Sequence, residues 1–303
     1  EGMNPVKNYL TQGVTTVVTG NCGSGTYEVK SFFSKLDSTG TGTNVIHLVG
    51  HNTIRRKVMG MESREATPEE LEAMKEMLRQ GMEEGAAGFS TGLWYTPGAY
   101  SPTEEVIELA KVAKEYGGFY ATHIRDESDY SVGLEEAVKE AVTIGEQAGI
   151  RVEISHIKAG APVWGSSEKI CAIIEEAQKR GLNILADQYP YNASSTNLAA
   201  VLLPAWVQSG GNMEARLNDP ELLPQIKKEI IKNFERAGGP EGLLIASFKG
   251  DQSMEGKNFA EISREISKPL DETAIWLILN GNPSIVSFNM KESDVNNFMK
   301  KDY

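Results

Sequence analysis

The sequence predicts an α/β fold built as a parallel (β/α) barrel, and two observations carry most of that prediction. Strand and helix signals alternate over six consecutive units between residues 14 and 187 rather than falling into blocks, and such alternation calls for a parallel sheet with right-handed crossovers. The strands are short apolar runs ending in polar residues, and in barrels and open α/β sheets the carboxyl ends of the strands carry the chemistry. No Gly-x-Gly-x-x-Gly opens a helix, so the dinucleotide-binding fold is unsupported.

The first strand is Val14-Thr-Thr-Val-Val-Thr19, followed by a helix at 27–36 and the strand Asn44-Val-Ile-His-Leu-Val49. Thr67-Pro-Glu-Glu70 combines an N-cap, a proline at the first helical position and a capping-box acid; Leu71, Met74, Leu78 and Met82 follow at helical spacing. After the strand Gly85-Ala-Ala-Gly-Phe-Ser90, Ser101-Pro-Thr-Glu104 opens a helix in the same way, with Val106, Leu109, Ala110 and Ala113 on its buried face. Strands at 118–123, 150–156 and 182–187 alternate with helices at 133–148 and 167–180. The rhythm then stops. Long helices such as 221–236 and a short strand at 243–247 mark an insertion. The expected organisation is barrel strands and helices over 1–192, a mainly helical insertion over 193–283, and a return to the barrel over 284–303 that includes an amphipathic helix at 291–300.

With 303 residues, 40% hydrophobic and 24% charged, the chain can bury a large core. A formal charge of −12 argues against nucleic acid or an anionic membrane as partner, because either polyanion would be repelled. A small-molecule substrate fits better. There is no apolar run of transmembrane length, and two cysteines, Cys22 and Cys171, make no disulfide framework and point to a reducing, cytoplasmic setting. The chain opens on Glu1-Gly-Met3 and enters its first strand within about a dozen residues, so a preceding portion is expected that could hold targeting signals and site residues.

Three residues follow predicted strands and suit a metal: Cys22 in Thr19-Gly-Asn-Cys22-Gly, His123 after Gly118-Phe-Tyr-Ala-Thr, and His156 after Ile150-Arg-Val-Glu-Ile-Ser. Zinc accepts thiolate and neutral imidazole, and three protein ligands leave a position for water, which becomes a nucleophile near neutral pH. Each residue has a structural reading too, since a hydrogen-bonded histidine or an inert buried cysteine is common. Among the remaining candidates, His51 also ends a strand and carries no firm role, His47 lies inside a strand as a core or interface residue, and Cys171 sits mid-helix as core.

These segments, with Gly88-Phe-Ser-Thr-Gly-Leu93, Thr122-His123-Ile-Arg125-Asp-Glu127, Ser155-His156-Ile-Lys158 and Asp187-Gln-Tyr-Pro-Tyr191, resemble the N-acyl-D-amino-acid deacylases of the amidohydrolase superfamily, in order over essentially the whole chain. The resemblance implies a (β/α)8 barrel of the metal-dependent amidohydrolase type. It also implies Zn2+ held by Cys22, His123 and His156, and a substrate carboxylate held by Lys158, Tyr189 and Ser195. Read on their own, Lys158 could be a solvated rim lysine, Tyr189 and Tyr191 could pack under a loop, and Ser195 in Ser194-Ser-Thr196 has helix-cap composition. Arg125 and Glu127 either pair structurally or face the pocket.

The family's opening His-x-His pair and its closing aspartate in Ser-Asp-Gly do not occur here, and Asp302 stands outside that motif. The barrel is therefore expected to lack its first and last strands, and the catalytic acid/base residue is unknown within this chain. The activity implied is hydrolysis of the amide of an N-acyl-D-amino acid. The alternatives are a hydantoinase or dihydroorotase-like cyclic amidohydrolase, or a non-catalytic zinc-binding remnant. Leu93, Trp94, Tyr95 and Trp164 near the expected mouth, with few basic groups besides Lys158 and Arg125, favour a neutral, hydrophobic D-amino acid.

Overall fold

The computed structural model describes residues 6–303. Its nine strands are β1 (Thr16–Thr19), β2 (Asn44–Gly50), β3 (Gly88–Gly92), β4 (Phe119–His123), β5 (Arg151–Ile154), β6 (Ile184–Ala186), β7 (Ser194–Asn197), β8 (Leu243–Ser247) and β9 (Ser284–Ser287). Strands β1 to β6 form one parallel sheet in chain order, as the alternation of units requires. β1 and β6 are its edges.

Register explains how one face becomes core. Val49, Phe89, Tyr120, Val152 and Ile184 pair across the five neighbouring strands β2 to β6 as a single row, and all are almost fully buried in the main hydrophobic core. The helices Pro68–Glu83, Thr103–Glu115, Leu134–Ala148 and Ser167–Lys179 cover that face with Leu78, Leu109, Val138 and Ile174. Burying each such side chain contributes about 1.5–3 kcal/mol. The next residues in register, Ser90, Ala121, Glu153 and Leu185, point to the opposite face. There Val18, Ile46 and Leu185 are 45%, 36% and 46% exposed, so the apolar inner face is left open toward the sheet edges.

Thr67 makes the expected capping box, accepting from the Glu70 amide while the Glu70 carboxylate accepts from the Thr67 amide. The second expected cap does not form. Ser101 donates its hydroxyl back to the Gly98 carbonyl at 2.7 Å, and Thr103–Glu115 starts without a side-chain cap. The helix His51–Met59, directly after β2, escaped the periodicity because it buries charge. Arg55 is fully buried and donates to Glu105 at 2.7 Å, and His51 meets the same carboxylate at 2.8 Å.

Residues after β6 build a second core around Leu202, Ile226, Phe234, Leu243 and Ile285. Three antiparallel strands in the order β7-β9-β8 underlie it. This corrects two expectations. Ser194, Ser195 and Thr196 lie in strand β7 rather than capping a helix, the cap falling instead to Asn197, which accepts from the Ala200 amide at 2.9 Å, and β9 does not return to the parallel sheet. Ile285 is fully buried in the second core, which holds β9 between β7 and β8. The return is made instead by the helix Glu292–Phe298. Its Asp294 accepts from the amides of Gly165 and Ser167 at 2.8 and 3.3 Å, and Phe298 enters the main core. No described helix is long and apolar enough to cross a membrane.

Candidate metal centre

Cys22, His123 and His156 converge at the carboxyl ends of β1, β4 and β5, with one ligand atom from each lying within 4.8 Å of the others. Cys22 Sγ is 3.7 Å from His123 Nδ1 and 3.4 Å from His156 Nε2. A tetrahedral ion about 2.3 Å from sulfur and about 2.0 Å from nitrogen needs sulfur–nitrogen separations of roughly 3.5 Å, so the donor set fits zinc in kind and in its sulfur–nitrogen spacings.

Two of the three residues sit in left-handed backbone, Cys22 at φ 55° and His156 at φ 41°. Such conformations cost about 1–3 kcal/mol and persist only where the surroundings impose them. Here they do. The His156 amide donates to Asp187 Oδ1 at 2.6 Å. The Cys22 loop is held by Ser90, which accepts from the Gly23 amide and donates to the Gly20 carbonyl, while Gly23 accepts from the Thr53 amide. Gly92 closes the loop from β3, since a Cβ there would meet the Cys22 carbonyl at 2.3 Å.

Electrostatics favour ligation at His123, whose burial pushes its pKa down to about 3 and keeps the imidazole neutral. Burial opposes ionisation of Glu127, but Lys158, His123 and His156 outweigh it and hold the carboxyl well below the usual range. Glu127 Oε1 pairs with Lys158 Nζ and lies 3.2 Å from His156 Nδ1. His156, depressed by burial and by Lys158, is raised on balance to about 9 by its contacts with Cys22 and Glu127, so a metal binding at Nε2 would displace a proton from it.

The centre opens into a cavity of about 600 Å³ lined by His123, Glu127, His156, Lys158, Tyr189 and Ser195, and by Val286 of β9 and Phe288 just after it. Lys158 is 3% exposed, with Nζ 5.5 Å from the Tyr189 ring centroid. Ser195 lines the cavity, but its hydroxyl donates to the Ile285 carbonyl at 2.9 Å, so in this arrangement it can accept and not donate. Arg125 is committed to Glu140 by two bonds of 2.7 and 2.8 Å, and to the carbonyls of Ala99 and Ser101. Arg125 lines the adjoining cavity, and Glu127 lines this one. Sequence reasoning left it unassigned; its signal was the four-residue offset from His123. Trp94 and Tyr95 line the cavity, whereas Trp164, 48% exposed, does not, and donates to the carbonyl of the lining residue Asn289.

No protein-family model matches the chain. Against curated proteins it is 39% identical over 213 residues to a D-aminoacylase of Alcaligenes xylosoxydans xylosoxydans, a match covering 62% of this chain and 43% of that one. It is 31% identical over 312 residues to an N-acyl-D-aspartate deacylase of the same organism, covering 95% of this chain and 54% of the relative. Among solved structures, N-acyl-D-glutamate deacylase from Bordetella bronchiseptica, complexed with zinc and a phosphonate mimic of the tetrahedral intermediate, matches with a TM-score of 0.80 and 29% identity. That match covers 98% of this chain and 59% of the other. The chain thus spans about half the length of the curated relatives it matches.

Proposed function

We propose, from the premise that this chain is a homologue of the N-acyl-D-amino-acid deacylases, that the protein it forms part of hydrolyses the amide bond of N-acyl-D-amino acids to a carboxylate and a free D-amino acid. The observation that carries the reading is the Cys22–His123–His156 cluster, whose two histidines line a substrate-sized cavity while Cys22 lines the adjoining one. Zinc bound there would supply Lewis-acid polarisation of the acyl carbonyl and activate water at neutral pH.

This chain's own residues hold and orient. Cys22 and the two histidines are the ion's ligands, placed by strand ends and by left-handed backbone that neighbouring side chains impose. Lys158, with its ammonium buried at the cavity wall, provides the positive charge for the substrate carboxylate, and Tyr189 forms the adjoining wall. Ser195 joins them only if its hydroxyl leaves the Ile285 carbonyl. Lys158→Met should therefore raise KM far more than Ser195→Ala does.

The test is turnover of N-acetyl-D- and N-acetyl-L-amino acids by the full-length protein, together with its zinc content. D-selective hydrolysis with one tightly held zinc, abolished in Cys22→Ala, is the expected result. Equal turnover of both enantiomers, or zinc content unchanged in Cys22→Ala, would overturn the reading.

A further inference from the structure

One carboxylate oxygen faces the outer nitrogens of both site histidines. Cys22 Sγ lies against His156 through Nε2 and against His123 through Nδ1, so the two rings present opposite nitrogens to the thiol. The remaining nitrogens converge on Glu127 Oε1, which is 3.2 Å from His156 Nδ1 and 3.6 Å from His123 Nε2. The His123 nitrogen is buried and has no hydrogen-bond partner, so Glu127 is the acceptor nearest to hand. Lys158 Nζ pairs with the same oxygen and stands 2.8 Å from His156 Nδ1.

Without a metal on Nε2, His156 Nδ1 can accept from the Lys158 ammonium at 2.8 Å; with one, it cannot. A neutral imidazole that offers the Nε2 lone pair carries its proton on Nδ1, and an ammonium is a donor only. With Nε2 of His156 directed at a metal, Nδ1–H and the Lys158 ammonium are two donors 2.8 Å apart, which repel unless an acceptor serves both. Glu127 Oε1 is that acceptor. At 3.6 Å the same oxygen makes a charge contact rather than a hydrogen bond with His123 Nε2, and its negative charge favours the proton there, leaving Nδ1 free to ligate.

We propose that Glu127 is a positioning residue of the metal centre: its single oxygen sets the tautomers of His123 and His156 and holds the Lys158 ammonium off the ligand side. The proposal rests on the reading of Cys22, His123 and His156 as metal ligands. Carboxylates that orient ligating histidines are typically worth 10–100-fold in metal affinity.

The experiment measures zinc affinity of the full-length protein by competition with a chromophoric chelator, for wild type and Glu127→Gln, alongside the unfolding temperatures of both metal-free forms. It also records two-bond proton–nitrogen correlations of the labelled histidines in the zinc-loaded proteins. The expected results are tight zinc in the wild type, about 10–100-fold weaker zinc in Glu127→Gln, and a wild-type spectrum with protons on His156 Nδ1 and His123 Nε2 that becomes mixed in the variant. A wild type that binds no zinc defeats the metal reading and the proposal with it. Tight wild-type zinc with undiminished affinity in Glu127→Gln, or weaker affinity with unchanged tautomers, defeats the proposal alone. If Glu127→Gln does not fold, the wild-type spectrum still decides, since protons on the opposite nitrogens are incompatible with the proposal.

Discussion

Glu153 illustrates how a residue's face in the sheet sets its chemistry. It lies on β5 in register with Leu185, on the side away from the helices, where burial and then the Asp187 charge push its carboxyl up to about 7. The sign follows from the raised value. Below about pH 4.5 the group is protonated in both the folded and unfolded states. Between 4.5 and 7 the folded protein keeps a proton that the unfolded chain releases, so its contribution to stability is lost as pH rises through that window. Glu153→Gln removes the titration. The unfolding temperature of the wild type relative to Glu153→Gln should fall from pH 4.5 to 7 and then level off; parallel curves for the two proteins would assign the pH dependence to another group.

Loops at the strand ends carry the site, and their glycines carry the loops. A Cβ on Gly92 would stand 2.3 Å from the Cys22 carbonyl, a backbone atom that cannot swing aside as a side chain would. Asn52 pins the same turn, donating to the carbonyls of Gly92 and Tyr95 and accepting from the Gly92 amide. Gly92→Ala should therefore displace the thiol, lowering stability by about 1–3 kcal/mol and weakening zinc. Calorimetry with a chelator titration measures both, and unaltered zinc affinity would show that the loop can retreat without moving Cys22. The parallel strands and the Thr67 capping box were legible because each is written in local periodicity and cap chemistry. So was the placement of Cys22, His123 and His156, which needs only that parallel strands end on one side. β7 was not legible: Ser194-Ser-Thr-Asn is polar, and its pairing with β9 joins residues about ninety positions apart. Glu127's role was hidden for a related reason, since it depends on Lys158, which is brought to it by a different strand.

At the scale of the molecule, the cavity exists because the two cores meet over the strand ends. Tyr95 of the β3 loop contacts Thr196 of β7 at 3.2 Å, and Arg236 of the second core reaches Asp129 at 2.7 Å. This junction decides which charges a substrate would meet. Inside the cavity Lys158 is matched by Glu127, and in the adjoining cavity lined by Trp94, Tyr95 and Tyr130, Arg125 and Arg236 are matched by Glu140 and Asp129. The walls added by the second core are Val201, Val286 and Phe288, and Tyr191 closes the rim. We infer that Lys158, which lines the metal-side cavity and shares Glu127, meets the substrate carboxylate, and that the D-amino acid side chain, facing Val201, Val286 and Phe288, is neutral and apolar. A second carboxylate, buried without its own cation, would cost several kcal/mol, and a loss of 2.8 kcal/mol corresponds to roughly a hundredfold in kcat/KM. Comparing N-acetyl-D-leucine or N-acetyl-D-methionine with N-acetyl-D-glutamate on the full-length protein should show a preference of at least ~10-fold for the neutral substrates. A preference for the glutamate derivative would mean that a cation outside these pairs, such as Arg56 in the adjoining cavity, receives the side chain.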